Sequence, residues 1–153
     1  MLYQTLLSIH SVLRYVILIL LIVTIVRSFK AWLGSTKDYS GIDAKYALFT
    51  LITAHLQLVL GLALYSLSPA VSAALSAGMT IAMHDKILRF WFVEHITMMI
   101  IAVALITVGR SLSKRTTEGA KKHKRIAIYY TASLLLILLS IPWPFSGVAR
   151  PWF

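Results

Sequence analysis

The chain has 153 residues, of which 59% are hydrophobic and only 13% charged. Soluble domains run nearer roughly 45–50% apolar and about 25% charged, so this composition excludes a disordered tail and argues against a soluble single-core domain. Lys and Arg number 15 against 5 Asp and Glu, a formal net charge of +10. A basic chain invites a nucleic-acid reading, but with this apolar excess membrane orientation explains the charge better, and nucleic acid is not an expected partner. Cysteine is absent, which excludes a disulfide framework, a thiolate metal site and a Cys nucleophile.

Four apolar stretches follow in order, each near the roughly 20 residues that cross a bilayer. The first spans about residues 6–26. It carries no basic segment before the apolar run and no small-residue cleavage site, so it reads as a retained helix rather than a cleaved signal. The second spans about 46–67. The connection after it, SPAVSAALSAGM (Ser68–Met79), is Ala/Ser-rich and suits either a short surface helix or a flexible loop. The third stretch covers about 90–108. The fourth covers about 126–141, where Pro142 and Pro144 stop it because proline cannot continue the backbone ladder. Backbone groups without water must pair within their own segment, so all four are expected to be helices. Short connections then predict an all-α, integral-membrane, up-down-up-down four-helix bundle as a single domain over 1–153.

The basic residues orient it. Arg27, Lys30, Lys37 and Lys45 fall in the first connection. Arg110, Lys114, Arg115, Lys121, Lys122, Lys124 and Arg125 fall in the third. These are eleven of the 15. Arg14, Lys86, Arg89 and Arg150 fall on the other side. The positive-inside bias puts connections one and three in the cytoplasm and both termini outside, in the periplasm if the membrane is a bacterial inner membrane. Trp32, Tyr46, Tyr129 and Tyr130 are expected at the inner interface, and Tyr65, Trp91 and Trp143 at the outer one.

An ionisable group inside a bilayer costs several kcal/mol, so each one is a functional candidate. Five stand out: His10, Arg14, His55, Glu94 and His95. His84 and His123 read as ordinary surface residues. Counting back from the basic flanks at 1.5 Å per residue, His10 lies roughly 25 Å and His95 roughly 22 Å from the inner side, with His55 roughly 15 Å in. His10 and His95 thus share a level near the outer leaflet. The first and third helices of such a bundle are diagonal, so two imidazoles at one depth can hold a metal between them. Haem fits this chemistry, because its iron takes neutral imidazoles and needs neither carboxylate nor thiolate. Non-haem iron or copper stays open, although Glu94 is the lone carboxylate nearby. Arg14 lies one turn from His10 on the same face and suits either a haem propionate or Glu94. Arg89 suits a propionate at the outer rim. Glu94 suits a hydrogen bond to a ligand His or proton transfer from a quinol. Gly61, Ala63 and Ala102 leave room for a macrocycle or for a neighbouring helix. Met98 and Met99 read as core filling.

The ordered set HSVLRY (His10–Tyr15), TAHLQLVLGLALY (Thr53–Tyr65), RFWFVEH (Arg89–His95), KKHKR (Lys121–Arg125) and IPWPF (Ile141–Phe145) resembles the small bacterial four-helix membrane b-type cytochromes. The resemblance spans most of the chain. It implies haem b, electron transfer, exchange with quinone, and His10, His55 and His95 as axial-ligand candidates. Dihaem membrane cytochromes commonly carry histidines on their last helix. The fourth apolar stretch here has none, so one haem is expected rather than two, and His55 becomes a spare proton carrier, a quinone donor or an alternative partner of His95. Competing expectations are a porphyrin or quinol oxidoreductase, which shares the early His followed by Arg, and a non-catalytic accessory subunit of a respiratory complex. A chain with so little mass outside the membrane is expected to work with other redox membrane proteins or with copies of itself.

Overall fold

The computed structural model describes residues 1–34 and 38–148, and among these the chain is helical with no strand. Lys37 and Arg150, used above for orientation, lie outside the described residues.

Helix α1 runs Leu2–Leu33 and α2 runs Gly41–Leu67. Ser40 caps α2: its hydroxyl accepts from the Asp43 amide while the Asp43 carboxylate accepts from the Ser40 amide. This reciprocal arrangement satisfies donors that the first helical turn leaves over. Arg27 at the end of α1 clamps the same carboxylate through Nε and Nη2 at 2.9 and 2.7 Å. The first connection is thereby held at both sides.

The Ala/Ser-rich connection resolves into helix. Ser68 caps α3 (Pro69–Ala77), proline occupies its first turn, and Gly78 ends it with φ +87°, a left-handed conformation that glycine adopts without strain. Helix α4 (Met79–His84) and the single turn α5 (Lys86–Arg89) follow, and Asp85 caps α5. A π turn over Phe90–Glu94 then leads without interruption into α6 (His95–Lys114), giving a continuous helical run of 29 residues from Lys86. Helix α7 spans Gly119–Ser140.

Among the described residues, three helical runs are long and apolar enough to cross a membrane: Leu2–Leu33, Gly41–Leu67 and Lys86–Lys114. The fourth falls short of the expectation. Lys121, Lys122, Lys124 and Arg125 occupy the first turns of α7. Only Ile126–Ser140 is apolar, which is about 22 Å of helix at 1.5 Å per residue.

Helix α1 contacts α2 and α7, α6 contacts α7 and α2, and α1 and α6 face each other diagonally. The core is made of small and hydroxylated residues as much as of large ones. Thr24 and Thr50 share a hydrogen bond of 3.0 Å between α1 and α2. Ser133 of α7 donates to the Ala102 carbonyl of α6, and Tyr130 of α7 donates to the Ala47 carbonyl of α2, each at 2.9 Å. Tyr130 is therefore fully buried between the helices. At Gly109, an added Cβ would stand 2.6 Å from the Tyr129 Cβ, so glycine sets the approach of α6 to α7. The outward faces are the apolar ones: Val12, Ile19, Phe49, Leu56, Val59 and Leu139 are all exposed.

Candidate functional site

The molecule has two unlike ends. At one, the C-termini of α1 and α6 meet the N-termini of α2 and α7, and the basic residues gather there. At the other lie His10, Gly61, His95 and Ser140.

Between the helices at this second end is a cavity of about 160 Å3. His10, Arg14, Gln57, Tyr65, Trp91 and His95 supply its polar and aromatic lining. Small or apolar residues such as Ala54, Gly61, Met99 and Ala102 supply the rest. His10 and His95, placed at one level by counting residues, do line one cavity from the diagonal helices α1 and α6.

The His95 imidazole is held by its surroundings. The His95 ring nitrogen Nδ1 lies 2.8 Å from the Ser140 carbonyl at the end of α7. A carbonyl only accepts, so Nδ1 carries a proton, and in the neutral imidazole Nε2 then carries the lone pair. Metal-binding histidines are commonly oriented in this way, by a backbone acceptor on the second ring nitrogen. Phe90 and Trp91 flank the His95 ring, with centroids at 5.8 and 5.7 Å. On α1, Gln57 Nε2 donates to the His10 carbonyl at 2.9 Å and ties α2 to α1 at this level. The His10 ring lies over Gly61, where a Cβ would come within 3.2 Å of His10 Cε1.

The π turn positions His95. Such turns insert one residue into an α-helix and concentrate at functional sites. Trp91 inside the turn and His95 at its end both line the cavity. Tyr65 of α2 donates to the Phe92 carbonyl inside the turn at 3.0 Å, which supports a backbone segment that has left the regular ladder. The same register explains a salt bridge of unusual spacing: Arg89 Nε meets Glu94 Oε1 at 2.7 Å, five residues apart.

The other candidates fall elsewhere. Glu94 pairs with Arg89 and not with Arg14, and neither Glu94 nor Arg89 lines the cavity. Arg89 also donates to the Met83 carbonyl, so its guanidinium is committed to the α4–α5 corner. His55 points outward, exposed, with Nδ1 at 2.9 Å from the Leu51 carbonyl of its own helix, and is not brought to His95. Arg14 does line the cavity, where it donates to the Tyr15 hydroxyl at 3.1 Å. His84 is exposed as expected. His123 is not: α7 begins before the apolar stretch, so His123 lies inside it, fully buried, with Nε2 3.2 Å from the Asp38 carbonyl and its ring against Tyr39. The last helix thus does carry a histidine, at the basic end.

The donor set suits haem: two imidazoles from facing helices, a cation in Arg14 for an acidic edge group, and Gly61, Ala54 and Ala102 as low walls. Among the described residues no cluster of three or more His, Cys, Asp or Glu is arranged to hold a metal. The volume is the tighter criterion. About 160 Å3 lies below the roughly 300–1,000 Å3 of ordinary ligand pockets, so admitting a macrocycle requires wall side chains to move. Met99, unbranched and flexible, is the natural one to yield.

Reasoning from ionisable groups overlooked Gln57, Tyr65 and the Ser140 carbonyl. Gln57 was detectable as the lone amide inside an apolar run. Tyr65 had been assigned only to the interface, and a backbone carbonyl leaves no trace in a sequence. No family model, curated protein or solved structure matches this chain.

Proposed function

We propose that the chain is a multi-pass membrane protein, an up-down-up-down four-helix bundle of the bacterial inner membrane with both termini periplasmic, that transfers electrons through one haem b. The apolar side chains on its outward faces support the membrane reading, because exposed apolar patches of that extent are unfavourable in water. The observation that carries the functional reading is that His10 and His95, from diagonal helices, line one cavity while Ser140 fixes the His95 tautomer.

In this reading His10 and His95 would hold the iron, and the haem would supply reversible one-electron chemistry. The chain's own residues do the rest. Ser140 holds the His95 Nδ1 proton and raises the basicity of Nε2. Gln57 and Tyr65 fix the two ligand helices in register. Ile17, Ala102 and Ile137 keep water from the cavity floor. Arg14 supplies positive charge beside it. Quinone is the proposed exchange partner, at the outer leaflet to which this orientation assigns the cavity.

The test is the reduced-minus-oxidised absorption spectrum of the purified chain, expressed with adequate haem, together with a pyridine haemochrome assay. A sharp low-spin b-type α band at about one haem per chain is expected. It should be lost in His95→Ala and in His10→Ala and kept in His84→Ala. Absence of the band in the wild-type protein refutes the reading.

A further inference from the structure

The basic end holds a second cavity that the haem reading does not use. Its volume is about 280 Å3, and Tyr39, Gly41, Arg110, Ser113, Lys114 and Lys122 are among its lining residues. Three of these are cations, and no carboxylate lines the cavity.

Arg110 is the unusual member. It is only 9% exposed, and its Nε is buried with no hydrogen-bond partner among the described residues. A guanidinium cannot escape burial by losing its proton, and an uncompensated buried charge is strongly unfavourable. Asp38, beside Tyr39 in the chain, does not line the cavity, and the next carboxylates in space and in sequence are held by other groups. Asp43 is held by Arg27 and Ser40, and Glu118 by Lys121 at 2.6 Å. No ion pair among the described residues involves Arg110, Lys114 or Lys122. The Tyr39 and Ser113 hydroxyls are buried here too, beside one another, with no partner outside this pair among the described residues. Burial pushes the Tyr39 phenol above its ordinary value, which keeps it a neutral donor. Lys122 Nζ sits 5.4 Å from the centroid of the Tyr39 ring. Helix α2 begins at the rim with Gly41, directing the positive end of a 27-residue helix toward the same space.

Every polar side chain lining this cavity can donate and none is a carboxylate; Asp43, whose charge reaches Tyr39 from the first turn of α2, is paired with Arg27. We propose that it binds a phosphate oxyanion, with Arg110, Lys114 and Lys122 as charge partners and Tyr39 and Ser113 as hydroxyl donors. The phosphate belongs either to an anionic phospholipid of the adjacent leaflet, as in basic pockets between membrane helices, or to a soluble anion. The chemistry is the same for both.

The experiment uses the full chain, delipidated in neutral detergent, and reads its thermal midpoint. The probes are inorganic phosphate and phosphatidylglycerol diluted into phosphatidylcholine, with chloride at matched ionic strength as control. A saturable rise in midpoint is expected, unmatched by chloride. Lys114→Gln/Lys122→Gln should weaken it about tenfold, as expected for lost charge-assisted hydrogen bonds. Arg110→Lys, which keeps the charge and loses the fork, provides a second variant if the first does not fold. A rise with phosphatidylglycerol alone assigns the site to lipid, a rise with phosphate alone assigns it to a soluble anion, and a rise with both identifies the phosphate group as the ligand. No rise with either probe, an equal rise with chloride, or an undiminished rise in both variants overturns the proposal. Haem content is not read, so this outcome is independent of the haem reading.

Discussion

Gly61→Val tests the cavity most directly, because it acts on His10 without replacing a proposed ligand. A Cβ at position 61 would stand 3.2 Å from His10 Cε1, whereas carbon atoms prefer about 3.5–4.0 Å. The ring must therefore retreat by about 0.3–0.8 Å for the Cβ alone. No rotamer relieves this contact, since Cβ is fixed by the backbone, and the two valine methyls crowd the space further. Ligand-to-metal distances tolerate only about 0.2 Å. Overpacking of this kind typically destabilises by about 1–3 kcal/mol, partly offset by about 0.5–1 kcal/mol from removing a glycine inside a helix. Fold stability should thus change modestly while haem binding suffers. The measurements are haem per chain and the reduced α band, read beside the thermal unfolding midpoint from circular dichroism in detergent. A marked loss or broadening of the band with the fold retained is expected. A wild-type band at full haem content would show that His10 does not ligate from this position.

Three further changes probe other parts of the account. Gly109→Val places a Cβ within 2.6 Å of the Tyr129 Cβ and should destabilise the protein by at least about 1–3 kcal/mol through separation of α6 from α7, seen as a lowered thermal midpoint. Tyr65→Phe removes the donor to the Phe92 carbonyl and should lower stability by about 0.5–1.5 kcal/mol; it should also perturb the haem band, since the π turn orients His95, whereas a change in stability alone would separate the turn from the site. His55→Ala should leave both haem content and band position unchanged, because the ring faces outward; loss of the band would reinstate His55 as a ligand.

Much of this was legible in the sequence because it depends on local chemistry. Apolar runs of membrane length predict helices wherever the backbone must satisfy itself, and Pro142 closes the last one at Ser140. The shared level of His10 and His95 followed from a constant rise per residue, and their convergence on one cavity followed from the diagonal placement of α1 and α6. The Arg27–Asp43 clamp had a partial signal in the S-x-x-D pattern of Ser40 and Asp43, which marks a helix start.

What the tertiary structure alone decided was which way each polar group faces. Net charge and hydrophobic count are sums over the chain and carry no direction. His55 is as rare in its apolar run as His10 is in its own, yet one faces outward and the other inward. His123 looked like part of a solvated basic loop until an early start to α7 buried it against Tyr39 and Asp38. Glu94 was assigned to Arg14 or to a ligand histidine, and an extra residue in the helical turn gave it to Arg89. A helix face is set by rotation, and one inserted residue at Phe90–Glu94 changes that rotation by more than the composition can reveal. The +10 charge marked the basic end of the molecule; that one of its arginines is buried without a counter-ion could be learned only from packing.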